Sequence, residues 1–182
     1  MKQKGREFQL SLFDMKNKKI FGGSLLKNSN PKEKRPISTK HPMHIVIRST
    51  KAKGQRNFLT KPHKKAIKLI LEGQAKSWGI RLYRFENVGN HIHILLRTGH
   101  RKWLSNYLRS ITGLIARQVL GAERGKGKDI KFWDARPFSR VITWGRAYKG
   151  VHKYFDKNKR QAMGLNLVAI ETKLIYTSVN SS

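Results

Sequence analysis

Apolar and polar positions follow two rhythms along this chain, a period of two in some stretches and a period near 3.6 in others, and the switches between them set the expected elements. His44, Val46 and Arg48 alternate with Ile45 and Ile47, which predicts a strand over Met43–Arg48. After a basic loop at residues 49–56, Pro62 stands where a first-turn proline belongs, with Thr60 as its candidate cap. Ala66, Ile67, Ile70, Leu71 and Ala75 then recur at helical spacing to about Trp78, and Gly79 stops the helix. Leu82, Tyr83 and Phe85 interleave with charges over residues 81–87, and Val88-Gly89-Asn90 turns tightly into His91-Ile92-His93-Ile94-Leu95-Leu96, so the second and third strands read as an antiparallel hairpin. Leu104, Tyr107, Leu108, Ile111, Leu114, Ile115 and Val119 make an amphipathic helix over residues 103–120, closed by Gly121. A fourth strand is expected at residues 139–143, and a last helix from Gly145 or Ala147 through Lys157 or beyond.

The order β-α-β-β-α-β followed by a helix predicts an α+β fold of the ferredoxin-like (RRM-like) kind, a four-stranded antiparallel sheet with helices on one face and the final helix as the extra element. Residues 1–40, rich in Lys, Asn, Ser and Gly, read as a basic N-terminal arm whose apolar residues 8–13 and Ile20-Phe21 are candidates for docking on the body. Residues 41–164 hold the main domain, with a flexible basic loop at residues 125–131. Residues 165–182 read as a C-terminal extension with a short strand at 165–170.

Charge then narrows the partner. Forty Lys and Arg against ten Asp and Glu give a formal net charge of +30, far beyond what solubility needs, so a polyanion is the expected partner. Nucleic acid is favoured over membrane, because no apolar run reaches the roughly 18 residues of a spanning helix. At 182 residues and 38% hydrophobic composition the chain can build one core. It has no cysteine, so a disulfide framework, a thiolate metal site and a cysteine nucleophile are all excluded. That composition suits the cytoplasm, and with the charge it suggests association with the nucleoid.

Successive strand side chains point to opposite faces, so His91 and His93 project together and could grip a divalent ion. The run Gly89-Asn90-His91-Ile92-His93-Ile94-Leu95-Leu96 resembles the HUH strand of the single-tyrosine transposases, especially the REP-associated tyrosine transposases and their insertion-sequence relatives, in which an Asn commonly precedes the first His. The resemblance covers roughly residues 43–164 and takes in the first strand and the Phe132-Trp133 to Arg140 approach to the fourth. It implies an HUH endonuclease fold whose last helix presents a nucleophilic tyrosine, with an amide one turn later completing the metal site. Val151-His152-Lys153-Tyr154-Phe155-Asp156-Lys157-Asn158 supplies both on one helix face, which makes Tyr154 the candidate nucleophile, with Tyr148 as runner-up, and His91, His93 and Asn158 the candidate ligands for Mg2+ or Mn2+.

The implied activity is metal-dependent cleavage and rejoining of single-stranded DNA, hairpin-bearing in this family, through a 5′-phosphotyrosine. Relatives include homodimers that exchange the tyrosine helix between sites, and a homodimer is one expectation here. The alternative is a non-catalytic nucleic-acid-binding protein, a co-opted transposase regulator or an RRM-like RNA binder. Arg97, Lys102, Arg136, Arg140, Arg146 and Lys153 flank the site in sequence and are the candidate phosphate contacts. Trp133, Trp144 and Phe138 are expected to pack rather than stack on bases, and His100 and His152 to lie exposed.

Overall fold

The computed structural model describes residues 21–22, 36–121 and 131–162. The apolar residues 8–13, the loop at 125–130 and the strand expected at 165–170 lie outside the described residues.

Strand β1 (Phe21–Gly22) is followed by β2 (Met43–Arg48), α1 (Lys61–Ser77), β3 (Ile80–Asn87), β4 (His91–Thr98), α2 (Arg101–Leu120), β5 (Phe138–Val141) and α3 (Arg146–Ala162). The sheet order is β1-β5-β2-β4-β3, every pairing antiparallel. Without the two-residue β1 this is the four-stranded ferredoxin-like sheet expected from the element order, its two inner strands being the first and third. The two residues of β1 pair with Arg140 and Ser139 at the outer edge.

The hairpin forms because Gly89 takes φ 96, which a side chain would oppose, and Val88 N–H closes the turn by donating to the His91 carbonyl at 3.1 Å. A Cβ at Gly89 would also stand 3.1 Å from Asn57 Oδ1. The register that follows sets Val46 opposite His93 and Arg48 opposite His91 on β2, and Glu86 opposite His93 on β3.

The two faces of the sheet are buried differently. Ile45, Ile47, Ile92, Ile94 and Leu96 point to α1 and α2, where Ile67, Leu71, Leu104, Tyr107, Ile111 and Ile115 complete the main core. Leu95 points the other way, into a small cluster with Ile142, Val151 and Phe155. Helix α3, the element added to the ferredoxin-like order, therefore covers the opposite face. Its apolar stripe is too short for the main core and fits this second cluster.

Two boundaries differ from the sequence expectation for local reasons, and one cap is weaker than expected. Helix α2 starts at Arg101 because the His100 ring caps it, Nδ1 accepting from Lys102 N–H at 3.2 Å. At α1, Thr60 holds the cap position but its hydroxyl makes no capping bond. Strand β5 spans Phe138–Val141 rather than residues 139–143, because Ile142 N–H turns to the Pro42 carbonyl at 2.8 Å and its side chain enters the second cluster. Only residues 142–145 then separate β5 from α3, and Gly145 makes the corner at φ 89.

Candidate active site

The alternation of β4 puts His91, His93, Leu95 and Arg97 on the face that α3 covers. On α3, Val151, Phe155 and Asn158 are buried at helical spacing, and Tyr154 lies on the border of that stripe, 41% exposed. The tyrosine ring meets His93 edge-on, centroids 5.3 Å apart and planes at 89°, and His91 stands against His93 at 4.8 Å. The nucleophile candidate and the histidine pair, 61 positions apart in sequence (154 − 93), thus share one site within one chain.

Both histidines are gripped at Nδ1. His91 Nδ1 lies 2.7 Å from Asn90 Oδ1, and since an amide oxygen only accepts, the ring donates there. His93 Nδ1 lies 3.1 Å from the Nε2 atom of His44, whose ring lies nearly parallel to it, centroids 5.2 Å apart and planes at 26°. His93 Nε2 and Asn158 Nδ2 are buried without hydrogen-bond partners among the described residues. Burial, then the Arg140 charge, lowers His44 to about 4; burial, then His44 and His91, lowers His93 to about 3. His91 is lowered by burial and then by Arg48. All three imidazoles are neutral at neutral pH, the form in which a ring nitrogen can bind a metal.

No group of three or more His, Cys, Asp or Glu side chains suited to a metal occurs among the described residues. Two imidazoles and an amide form a set of another kind. The unpartnered His93 Nε2 fits a cation, and the Asn158 side chain, whose Nδ2 has no partner among the described residues, would present its oxygen there with its amide turned by a half-turn. Open positions would remain for other oxygens.

Tyr148, the runner-up, goes elsewhere. Its ring meets Tyr83, Trp144 and His152 at 6.0, 4.9 and 4.7 Å, and burial, then Tyr83, pushes its hydroxyl above the usual phenol range. The half-buried His152 belongs to this cluster, so it is not exposed as its sequence position suggested. Trp144 is 45% exposed at its rim, with Nε1–H donating to the Lys40 carbonyl at 3.3 Å. Trp133 packs on Phe58 and Phe132 and donates to the Thr112 carbonyl at 3.0 Å.

Of the candidate phosphate contacts, Arg97 continues the histidine face of β4 and Arg140 stands opposite His44 on β5. Arg146 and Lys153 are exposed on α3, Lys153 beside Tyr154. Lys102 lies exposed on α2, which packs on the other face, and Arg136 is exposed in the turn before β5.

Two features of the site escaped the sequence reading. His44 occupies an alternating position of β2, but that strand is buried on both faces, so the alternation singled out no residue. Arg84 on β3 donates from Nη2 to Glu86 Oε1 at 2.8 Å and to Asp156 Oδ1 at 2.7 Å, which ties α3 to the edge strand two residues from Tyr154. This contact holds the Asp156 carboxyl below the usual carboxylate range. Nothing local in the sequence marks a pair 72 positions apart.

A ferredoxin-like sheet with a His-X-His pair on one face, covered by a tyrosine-bearing helix, is the architecture of HUH-type proteins. Residues 37–158 match the family model described as "Transposase IS200 like", and the chain belongs to that family, whose members cleave and rejoin DNA. In fold it is similar to a REP-associated tyrosine transposase solved bound to a REP hairpin, with TM-score 0.57 and 12% identity over 74% of this chain and 75% of that one. A crystal structure assigned as a transposase from Deinococcus radiodurans R1 matches at 17% identity and TM-score 0.41, over 70% of this chain and 97% of that one. No curated protein sequence matches the chain. Among the described residues no helix is long and apolar enough to cross a membrane.

Proposed function

We propose that this transposase is a metal-dependent single-stranded DNA endonuclease and strand transferase that works through Tyr154. The observation that carries the reading is the Tyr154 ring edge-on to His93, whose buried Nε2 has no hydrogen-bond partner among the described residues. Tyr154 Oη forms a bond to the phosphorus, the bond from phosphorus to the 3′ oxygen breaks, and that oxygen takes up a proton to become a 3′-hydroxyl. The phenol proton passes to water on the exposed side of the ring. The DNA 5′ end remains on the tyrosine as a phosphodiester, so the reverse step, with another 3′-hydroxyl attacking, rejoins strands without outside energy.

His91, His93 and Asn158 would hold Mg2+ or Mn2+. Such an ion, when bound, polarises the scissile phosphate and offsets the charge that builds on its oxygens. Helix α3 sets the nucleophile, with Phe155 and Val151 buried beneath it and Arg84 latching Asp156 beside it. Arg97, Arg140, Arg146 and Lys153 surround this face with positive charge suited to a DNA backbone. The REP-associated relative was solved with a hairpin bound, and a hairpin-bearing single strand is the substrate proposed here as well.

Incubation of a labelled single-stranded hairpin oligonucleotide with the protein and Mn2+ tests this by an adduct that survives denaturation. The wild type and Tyr148→Phe form the adduct, and Tyr154→Phe binds the oligonucleotide without forming it. An adduct on Tyr154→Phe refutes the assignment. Binding with no adduct on the wild-type protein favours a non-catalytic nucleic-acid binder.

A further inference from the structure

The cleavage chemistry proposed above leaves one buried polar side chain of the site without a task. His44 is 9% exposed, stands on β2, and spends its Nε2 on a neighbour's ring rather than on backbone or solvent. Its position is over-determined: the ring lies side by side with His93, meets Phe155 at 5.3 Å and Tyr154 at 6.1 Å, and has Arg140 opposite it in the ladder. An apolar residue could fill that space, so the polar contact needs its own reason.

Two neutral rings joined by one hydrogen bond share a single proton between Nε2 of His44 and Nδ1 of His93, and its location fixes the rest of His93. A proton on His44 Nε2 leaves His93 to carry its own proton on Nε2, a buried N–H with no acceptor among the described residues. A proton on His93 Nδ1 leaves Nε2 with its lone pair. His91 supplies the parallel, because its Nδ1 proton is committed to Asn90 Oδ1, so its Nε2 holds a lone pair. Each histidine of the pair has a polar partner behind Nδ1, one from the preceding residue and one from the neighbouring strand.

We propose that His44 is a positioning residue: its Nε2 accepts the Nδ1 proton of His93, which fixes the tautomer and the plane of that ring and leaves the His93 Nε2 lone pair free to bind a cation. A ring hydrogen-bonded in this way is oriented before any ligand arrives, and a ligand histidine gains basicity when its second nitrogen donates to a good acceptor. The proposal rests on the metal reading of His93 for the lone pair's purpose, but the tautomer is a property of the protein alone.

The test uses the full chain labelled with 15N at histidine. In the metal-free wild-type protein, nitrogen shifts are expected to show His93 protonated at Nδ1 and bare at Nε2. His44→Phe keeps a ring and loses the acceptor, so Mn2+ affinity in a calorimetric titration should fall about 10- to 100-fold, the range for loss of such partners. His44→Gln, whose amide oxygen can accept the same proton, should recover most of it. A wild-type His93 protonated at Nε2 overturns the proposal, even should His44→Phe fail to fold. So does wild-type Mn2+ affinity in a folded His44→Phe. A wild type with the expected tautomer that binds no Mn2+ overturns the metal reading above and supports the assignment of His44.

Discussion

Truncating Phe155 should release the tyrosine helix while the rest of the domain stays folded. Phe155 is fully buried and Val151 nearly so, and they are the buried apolar residues that α3 contributes to its cluster, facing Leu95 and Ile142. Burying two such side chains is worth roughly 3 to 6 kcal/mol together. Phe155→Ala removes about 3 kcal/mol or more of this. At about 1.4 kcal/mol per tenfold, the undocking equilibrium of α3 should shift by about 100-fold or more. The main core, with α1 and α2 on the other face, shares no member with this cluster and should be untouched. Hydrogen exchange resolved by segment measures this: amides of residues 146–162 should lose protection by that factor, those of α1 and α2 should keep theirs, and cleavage should fall with the helix. Equal loss of protection in α1 and α2 would refute the two-core reasoning, and so would unchanged protection in α3.

Two other changes probe the same helix. Arg84→Met leaves the carboxylates of Glu86 and Asp156 without their shared partner, so DNA should still bind while the cleavage rate drops on the order of tenfold, as expected when a reacting group is loosened; an unchanged single-turnover rate would show the latch to be idle. Gly145→Ala has open space for its methyl group, yet φ 89 strains any L side chain, so thermal unfolding should report a loss of about 1 to 3 kcal/mol; a neutral result would mean that the corner can relax.

The sequence disclosed what repeats and hid what depends on pairing across distance. The hairpin and β4 were legible because Val88-Gly89-Asn90 and the alternation after it act locally, and Gly121 ends α2 where the periodicity stops, at φ 61. Tyr154 and Asn158 could be placed on one helix face from spacing alone, and the resemblance pointed them at the histidines. What α3 packs on there was not legible, because Val151 and Phe155 are too few to show that they meet Leu95 and Ile142. His44 was read as one more strand residue, since only the register Val46↔His93 and the neighbouring ring give it meaning. Arg84 looked like any of forty basic residues until α3 brought Asp156 to it.

The brevity of the connection into α3 bears on how far a DNA end can be carried. Four residues, 142–145, at about 3.3 to 3.6 Å each, span at most about 14 Å, so an undocked helix stays leashed to the end of β5. On the proposed chemistry, a strand joined to Tyr154 travels with that leash. Tyr154 lies about 12 Å further along the helix, so a joined DNA end stays within about 30 Å of β5, and the strand that receives it must be delivered inside that radius.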